Sequence, residues 1–156
     1  MIKKFFMTAL IFTLITFAGC ADSKEVPVQV EKVPTQETET VTTNIKIIVN
    51  GKTFDEVLED NESARKFLEK LPLEVTMTEL NGNEKYYRFN ENLPSADERV
   101  GMIHAGDLML YSSSYVVIFY EDFSTSYSYT RLGKILNVDE FDKILGNGDV
   151  TVKFER

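Results

Sequence analysis

Short β-rich runs separated by turn signals fill the chain from residue 44 to residue 156. The strongest signal is Asn50-Gly51, which follows the β-rich run 45–49 and predicts a tight hairpin into a second strand at 52–58. Residues 115–120 form an almost continuous apolar run, which is typical of a strand buried in a core. The whole pattern predicts about seven or eight strands, and so many short strands indicate a β-barrel or a β-sandwich.

Two short helices are predicted between these strands. Asp60 or Asn61 can cap the first helix, and Pro72 ends it. The second is predicted over 138–145, before a glycine-rich turn and a final strand. The sequence therefore predicts one mainly β domain over 44–156.

The N-terminus has the layout of a signal peptide. An uncharged apolar run of 14 residues, 5–18, follows Lys3 and Lys4. A membrane-spanning helix needs about 20 apolar residues, so this run is too short to be one. A short apolar run behind positive charges, followed by small residues, is typical of a cleaved signal peptide.

The segment Phe17-Ala18-Gly19-Cys20 resembles the lipobox of bacterial lipoproteins, although that family usually has Leu where Phe17 stands. The resemblance implies that residues 1–19 are a signal peptide and that the Cys20 sulfur receives a diacylglyceryl group. A single acyl chain binds membranes only marginally, so a lipid with several chains is needed for a stable anchor. We therefore expect a lipid-anchored, extracytoplasmic protein of the bacterial cell envelope. The alternative is an ordinary secreted protein with a free thiol.

Residues 20–43 are expected to form a lipidated, flexible linker. Beyond Cys20 they are rich in Thr, Glu, Gln, Val and Pro, and they contain no aromatic residue. A segment of this composition cannot form a buried hydrophobic core. A flexible chain of this length has a mean reach of roughly 25–30 Å, enough to lift the domain clear of lipid headgroups.

Charge and residue counts exclude several classes of function. The net charge of −8 makes binding to nucleic-acid phosphates unfavourable, so no nucleic-acid partner is expected. The chain has one cysteine and one histidine, which rules out an internal disulfide and argues against a metal site built from these residues. We expect no metal and no cofactor.

Several segments of the domain resemble cyclophilins. Residues 102–107 (Met-Ile-His-Ala-Gly-Asp) are similar to the Met-Ile-Gln-Gly-Gly-Asp segment of that family, and residues 117–120 to its buried Phe-Phe-Ile strand. The resemblance to small bacterial cyclophilin-like domains is closer, and it rests on 50–52, 106–111 and 127–135. It implies a closed eight-stranded β-barrel with two short capping helices.

The resemblance does not extend to most of the residues that cyclophilins use for prolyl isomerisation. Cyclophilins use an arginine beside an apolar proline pocket, and neither Arg88 nor Arg99 has the family's spacing to Met102. Gly101 stands where the family has a pocket phenylalanine, His104 replaces its glutamine, and the chain has no tryptophan. We therefore assign no catalytic residue.

A groove lined by tyrosines and serines suits a peptide or a small ligand, because tyrosine offers apolar area with a polar tip. The candidate ligand-binding residues are His104, Asp107, Tyr111, Tyr120, Ser124, Thr125, Tyr127, Tyr129 and Arg131. Each type also has a purely structural use: tyrosines form barrel walls, aspartate suits a turn, and arginine pairs with surface carboxylates. The favoured hypothesis is a non-catalytic peptide or small-ligand binding module. A prolyl isomerase or other enzyme with a degenerate pocket, and a structural envelope protein, are the alternatives.

Overall fold

The computed structural model of the protein describes residues 43–156. The predicted signal peptide, the lipidated Cys20 and the linker up to residue 42 lie outside the described residues. Within 43–156, no helix has the length and apolar character needed to cross a membrane.

Strands dominate the described residues, and two short helices interrupt them. In chain order the strands are β1 Thr43–Val49, β2 Lys52–Leu58, β3 Leu73–Leu80, β4 Glu84–Arg88, β5 Glu98–Arg99, β6 Met102–Ile103, β7 Asp107–Tyr111, β8 Tyr115–Phe119, β9 Phe123–Ser124, β10 Ser128–Ile135 and β11 Val150–Glu155. The helices are α1 Glu62–Leu68 and α2 Phe141–Leu145.

Eight of these strands close into an antiparallel barrel. The order is β2-β1-β11-β3-β4-β8-β7-β10, and β10 pairs back with β2. The prediction of a mainly β, closed eight-stranded barrel with two helices is confirmed. Among the remaining strands, β5 pairs with the start of β10, and β6 pairs with β9.

The first hairpin forms as its turn sequence predicts. Asn50 and Gly51 have φ angles of 49° and 79°, and Val49 pairs directly with Lys52. Both central residues of this turn type need positive φ, which Asn and Gly tolerate best.

Both helices are shorter than predicted. α1 ends at Leu68, and the chain continues to Pro72 in a tighter turn, in which the Lys70 amide donates to the Phe67 carbonyl and the Leu71 amide to the Leu68 carbonyl. α2 begins at Phe141 rather than at residue 138, where Val138 is instead partly buried against the barrel core.

The barrel core and a second apolar cluster lie on opposite faces of the same strands. Even-numbered residues of β8, such as Val116 and Ile118, pack in the main core. Val117 and Phe119 pack outside it with Ile103, in the second cluster. Because successive strand residues point to opposite faces, β8 is buried on both sides, which accounts for its continuous apolar sequence.

Candidate ligand-binding site

A cavity of about 330 Å³ lies on the outward-facing side of the strands that carry the second apolar cluster. That size is within the range of small-ligand sites. We call it the tyrosine pocket, and its lining residues are Leu80, Asn81, Glu84, Tyr86, Tyr111, Tyr115, Val117, Tyr127 and Tyr129.

Strand register brings the tyrosines together. Tyr111 and Tyr115 are direct partners across β7 and β8, with ring centroids 6.3 Å apart. Tyr86 reaches Tyr115 from β4 at 5.9 Å. On the other side, Tyr111 lies 6.1 Å from Tyr127 and 5.5 Å from Tyr129. Aromatic pairs at these separations attract one another, so the rings form a continuous wall.

The tyrosines differ in depth. Tyr129 is 6% exposed and lies at the base of the wall, whereas Tyr127 is 62% exposed at the rim. Burial, together with a smaller contribution from the negative charge of Glu84, raises the pKa of Tyr129 to about 12. Tyr129 therefore keeps its phenolic proton at neutral pH and remains a hydrogen-bond donor.

Glu84 is the acidic group of the tyrosine pocket. Its side chain is half-buried, and this burial raises its pKa to about 7, with a smaller contribution from the charge of Glu79. Among residues 43–156, no cation forms an ion pair with Glu84. The pocket thus combines aromatic walls with a carboxyl group that changes charge near neutral pH.

Three of the nine candidate residues, Tyr111, Tyr127 and Tyr129, line the tyrosine pocket. Thr125 lies beside its rim, where its hydroxyl accepts a hydrogen bond from the Tyr127 amide at 3.1 Å. Ser124 is exposed on β9, paired with Met102.

The other candidates serve contacts away from the pocket. Asp107 is buried and holds a turn, because its carboxylate accepts from the His104 amide at 2.9 Å. His104 itself is exposed, with Nδ1 3.3 Å from Asp122. The Tyr120 hydroxyl donates to Glu79 at 2.8 Å.

Arg131 lies on β10 and contacts a surface carboxylate. Its Nε is 3.4 Å from Glu98 Oε1, and its backbone carbonyl accepts from Asn61 Nδ2 at 2.8 Å. This is the surface ion pair that the sequence left open as the structural alternative.

Sequence reasoning missed most of the pocket lining, including Glu84, Tyr86 and Tyr115. The one available signal was the alternation of Glu84 and Tyr86 along a strand, which places them on one face. That signal does not reveal which strand they pair with. The pairing of Tyr86 with Val117 becomes visible only in the folded barrel.

Residues 47–155 match the family model of the cyclophilin-like family. The chain belongs to the cyclophilin-like family. No curated protein is similar enough in sequence to match.

In this cyclophilin-like domain, Arg88 borders the tyrosine pocket. Its guanidinium lies 5.6 Å from the ring centroid of Tyr115, its partner in the β4–β8 register. Arg99, the other candidate arginine, lies on β5 and pairs in register with Ser128. Of the two, Arg88 is therefore the one with a contact to a pocket residue.

No metal centre is apparent in the part of the chain that the structure describes. Across residues 43–156, no three His, Cys, Asp or Glu side chains are grouped closely enough to hold an ion.

Proposed function

We propose that the protein is a membrane-anchored, extracytoplasmic lipoprotein whose cyclophilin-like domain binds a peptide or small ligand without transforming it. The observation that carries the binding role is the wall of five tyrosines around a cavity of about 330 Å³. Such a wall offers large apolar area and several hydroxyl groups, which together suit reversible recognition.

The non-catalytic role is supported by the chemistry of the lining. Among residues 43–156, those that line the tyrosine pocket include no serine, cysteine, histidine or lysine, which are common nucleophiles and bases. Its one carboxyl group, Glu84, has no neighbouring nucleophile to activate within that lining.

The binding role is tested with a peptide library and the purified full chain. Tyr127→Ala should lose captured ligands, whereas Tyr127→Phe should retain most of the affinity, since the ring is kept. Because Tyr127 is exposed, we expect its substitution to leave folding intact, and thermal unfolding checks this directly. Unchanged capture by Tyr127→Ala and by Tyr111→Ala would place the binding site elsewhere.

The membrane anchor is supported by the lipobox-like residues 17–20 and the apolar run 5–18. In bacterial cells fed an alkyne analogue of palmitate, the full chain should be labelled and recovered with membranes. Cys20→Ser should abolish the label, whereas Ser23→Ala should not. A label that survives Cys20→Ser would refute attachment at this residue.

Prolyl isomerisation is the second candidate, and the contact of Arg88 with Tyr115 favours it. We expect the full chain not to accelerate cis–trans exchange of a proline-containing peptide. If it does, and if Arg88→Ala removes the activity while Arg99→Ala keeps it, the isomerase assignment is correct and the non-catalytic one is wrong.

A further inference from the structure

We infer that the tyrosine pocket binds a quaternary ammonium group, in which a nitrogen bearing methyl groups carries the positive charge. This inference rests on the proposed binding function and names the ligand class for the same site. Its basis is the combination of an aromatic wall with an acidic side chain that forms no ion pair within residues 43–156.

The aromatic wall has the spacing needed to surround a cation. Four ring pairs of the pocket have centroids 5.5 to 6.3 Å apart and meet at angles of 48° to 81°. Rings at such angles form a curved surface rather than a flat stack. A cation within about 6 Å of an aromatic face is attracted by the ring quadrupole, and quaternary ammonium groups are recognised in this way.

Glu84 supplies the formal negative charge. The lysine next to it in sequence, Lys85, is turned into the barrel, where it pairs with Glu79 and donates to the Gly146 carbonyl at 2.6 Å. Arg88, on the same face of β4, places its guanidinium 5.6 Å from the Tyr115 ring centroid, and among the contacts of residues 43–156 it forms no ion pair with Glu84. The chain also has a net charge of −8, which favours the approach of cations.

The lining favours a methylated ammonium over a primary one. A primary ammonium has three N–H groups, and each one that is buried without an acceptor is costly. Leu80, Val117 and the faces of the tyrosine rings present mostly carbon to the cavity, and its acceptors are limited to Glu84, Asn81 and the tyrosine hydroxyl groups. A trimethylammonium group has no N–H to satisfy and buries its methyl groups against such walls.

Binding should depend on pH because Glu84 titrates in the physiological range. The groups that affect its environment are Glu79 on β3, Tyr129 on β10 and Tyr120 after β8, none of which carries positive charge. The cation at the edge of the pocket is Arg88, whose guanidinium lies against the Tyr115 ring. The ligand cation binds more tightly when the Glu84 carboxyl group is ionised. With a pKa of about 7, and with a neutral form that binds about tenfold more weakly, affinity at pH 6 should be about fivefold weaker than at pH 8.

The test is calorimetry on the full chain in an alkyl maltoside, a detergent without an ammonium group. Choline represents a free ligand, and glycerophosphocholine represents a lipid headgroup. We expect at least one of them to bind at pH 8, and the stronger one identifies the source. The neutral isostere 3,3-dimethylbutan-1-ol and butylammonium should each bind about tenfold more weakly or worse. If neither choline compound binds, or if the neutral isostere binds equally well, the inference is wrong.

Variants separate the carboxyl group from the rings. Glu84→Gln should weaken choline binding at pH 8 about tenfold and abolish its pH dependence. Glu74→Gln, on the exposed side of β3, makes the same charge change away from the pocket and should have no effect. Tyr127→Phe should retain binding that Tyr127→Ala loses. An unaltered pH profile in Glu84→Gln would contradict the role of this residue.

This outcome is distinguishable from failure of the proposed function. If peptides bind in a Tyr127-dependent way but the choline compounds do not, only the quaternary ammonium inference fails. If nothing binds in a way that depends on the pocket tyrosines, both fail.

Discussion

Among residues 43–156, two fully buried ionisable side chains have sharply different surroundings. Lys85 is fully buried, yet its ammonium group reaches Glu79 and donates to two backbone carbonyls, of Gly146 at 2.6 Å and Gly148 at 2.8 Å. Glu56 is also fully buried, but within residues 43–156 neither carboxyl oxygen has a hydrogen-bond partner. Burial without partners favours the neutral acid, and it raises the pKa of Glu56 well above its usual value.

Because Glu56 is buried in its neutral form, we expect the free energy of unfolding to depend on pH. Above about pH 4.5 the unfolded chain loses the Glu56 proton while the folded chain keeps it, so the free energy of unfolding falls as pH rises. The slope from this residue is up to about 1.4 kcal/mol per pH unit, until the folded-state pKa is reached. Glu56→Gln should remove this slope, and the variant should be more stable than wild type at pH 8 yet similar at pH 4.

Urea unfolding at pH 4, 6 and 8 measures this effect. Glu74→Gln removes an exposed carboxyl group from β3 and serves as the control, since its stability profile should follow wild type. A Glu56→Gln profile that kept the wild-type slope would show that Glu56 is ionised in the folded barrel.

At the scale of elements, Asn61 connects α1 to the barrel. Its side-chain oxygen caps the helix by accepting from the Ala64 amide at 2.8 Å, and its Nδ2 donates to the Arg131 carbonyl at 2.8 Å. One residue thus begins the helix and joins it to β10.

Substitutions at Asn61 should separate these two contacts. Asn61→Ala loses both and should lower the free energy of unfolding by about 2 kcal/mol. Asn61→Ser keeps a capping oxygen but is too short to reach Arg131, so it should cost about 1 kcal/mol. Denaturant titration measures both values. Equal losses in the two variants would mean that the contact with Arg131, rather than the cap, carries the effect.

The turn before β7 depends on Gly106 for two reasons. Its φ of +88° is unfavourable for other residues, and a Cβ there would lie 2.6 Å from Val138 Cγ1. Gly82 provides a matched control, because it has a similar φ of +74° but nothing within 4 Å of the same position.

Gly82→Ala should therefore cost only the backbone strain, about 1 kcal/mol. Gly106→Ala should cost about 2 kcal/mol more, because the clash with Val138 is added to the strain. Thermal unfolding measures the loss of stability of each variant relative to wild type, and the difference between the two losses is the packing contribution of the Val138 contact. Equal destabilisation would mean that Val138 moves aside at little cost.

At the scale of the whole molecule, barrel closure joins the two ends of the domain. β11, the last strand, lies between β1 and β3, and it pairs with β1 through residues 152–155 and with β3 through residues 150–154. Removing β11 would open the barrel and leave two long strand edges unpaired, which is unfavourable and promotes aggregation.

Truncation of residues 150–156 should therefore abolish cooperative unfolding and reduce the yield of soluble protein. Deleting Arg156 alone leaves β11 intact and removes one exposed hydrogen bond, to the Leu68 carbonyl. That shorter deletion should keep a single cooperative transition within about 1 kcal/mol of wild type. A cooperative transition in the longer truncation would show that the remaining strands fold without closure.

Local signals in the sequence determined the element types and the fold class. The Asn50-Gly51 turn acts through φ preferences of two adjacent residues, so it needed no tertiary information. The family resemblance extended this to a closed barrel, which strand pairing confirms. The lipid attachment at Cys20 stays a prediction.

The tertiary structure alone decided which side chains meet in the tyrosine pocket. Alternation along the strand places Tyr115 and Tyr120 on opposite faces. Because β8 is apolar on both faces, its sequence does not show which of the two faces points to the barrel core. In the barrel Tyr115 faces the pocket, whereas Tyr120 belongs to the main core. The approach of Glu84 to Tyr129 likewise depends on strand register across distant segments, and no local preference encodes that register.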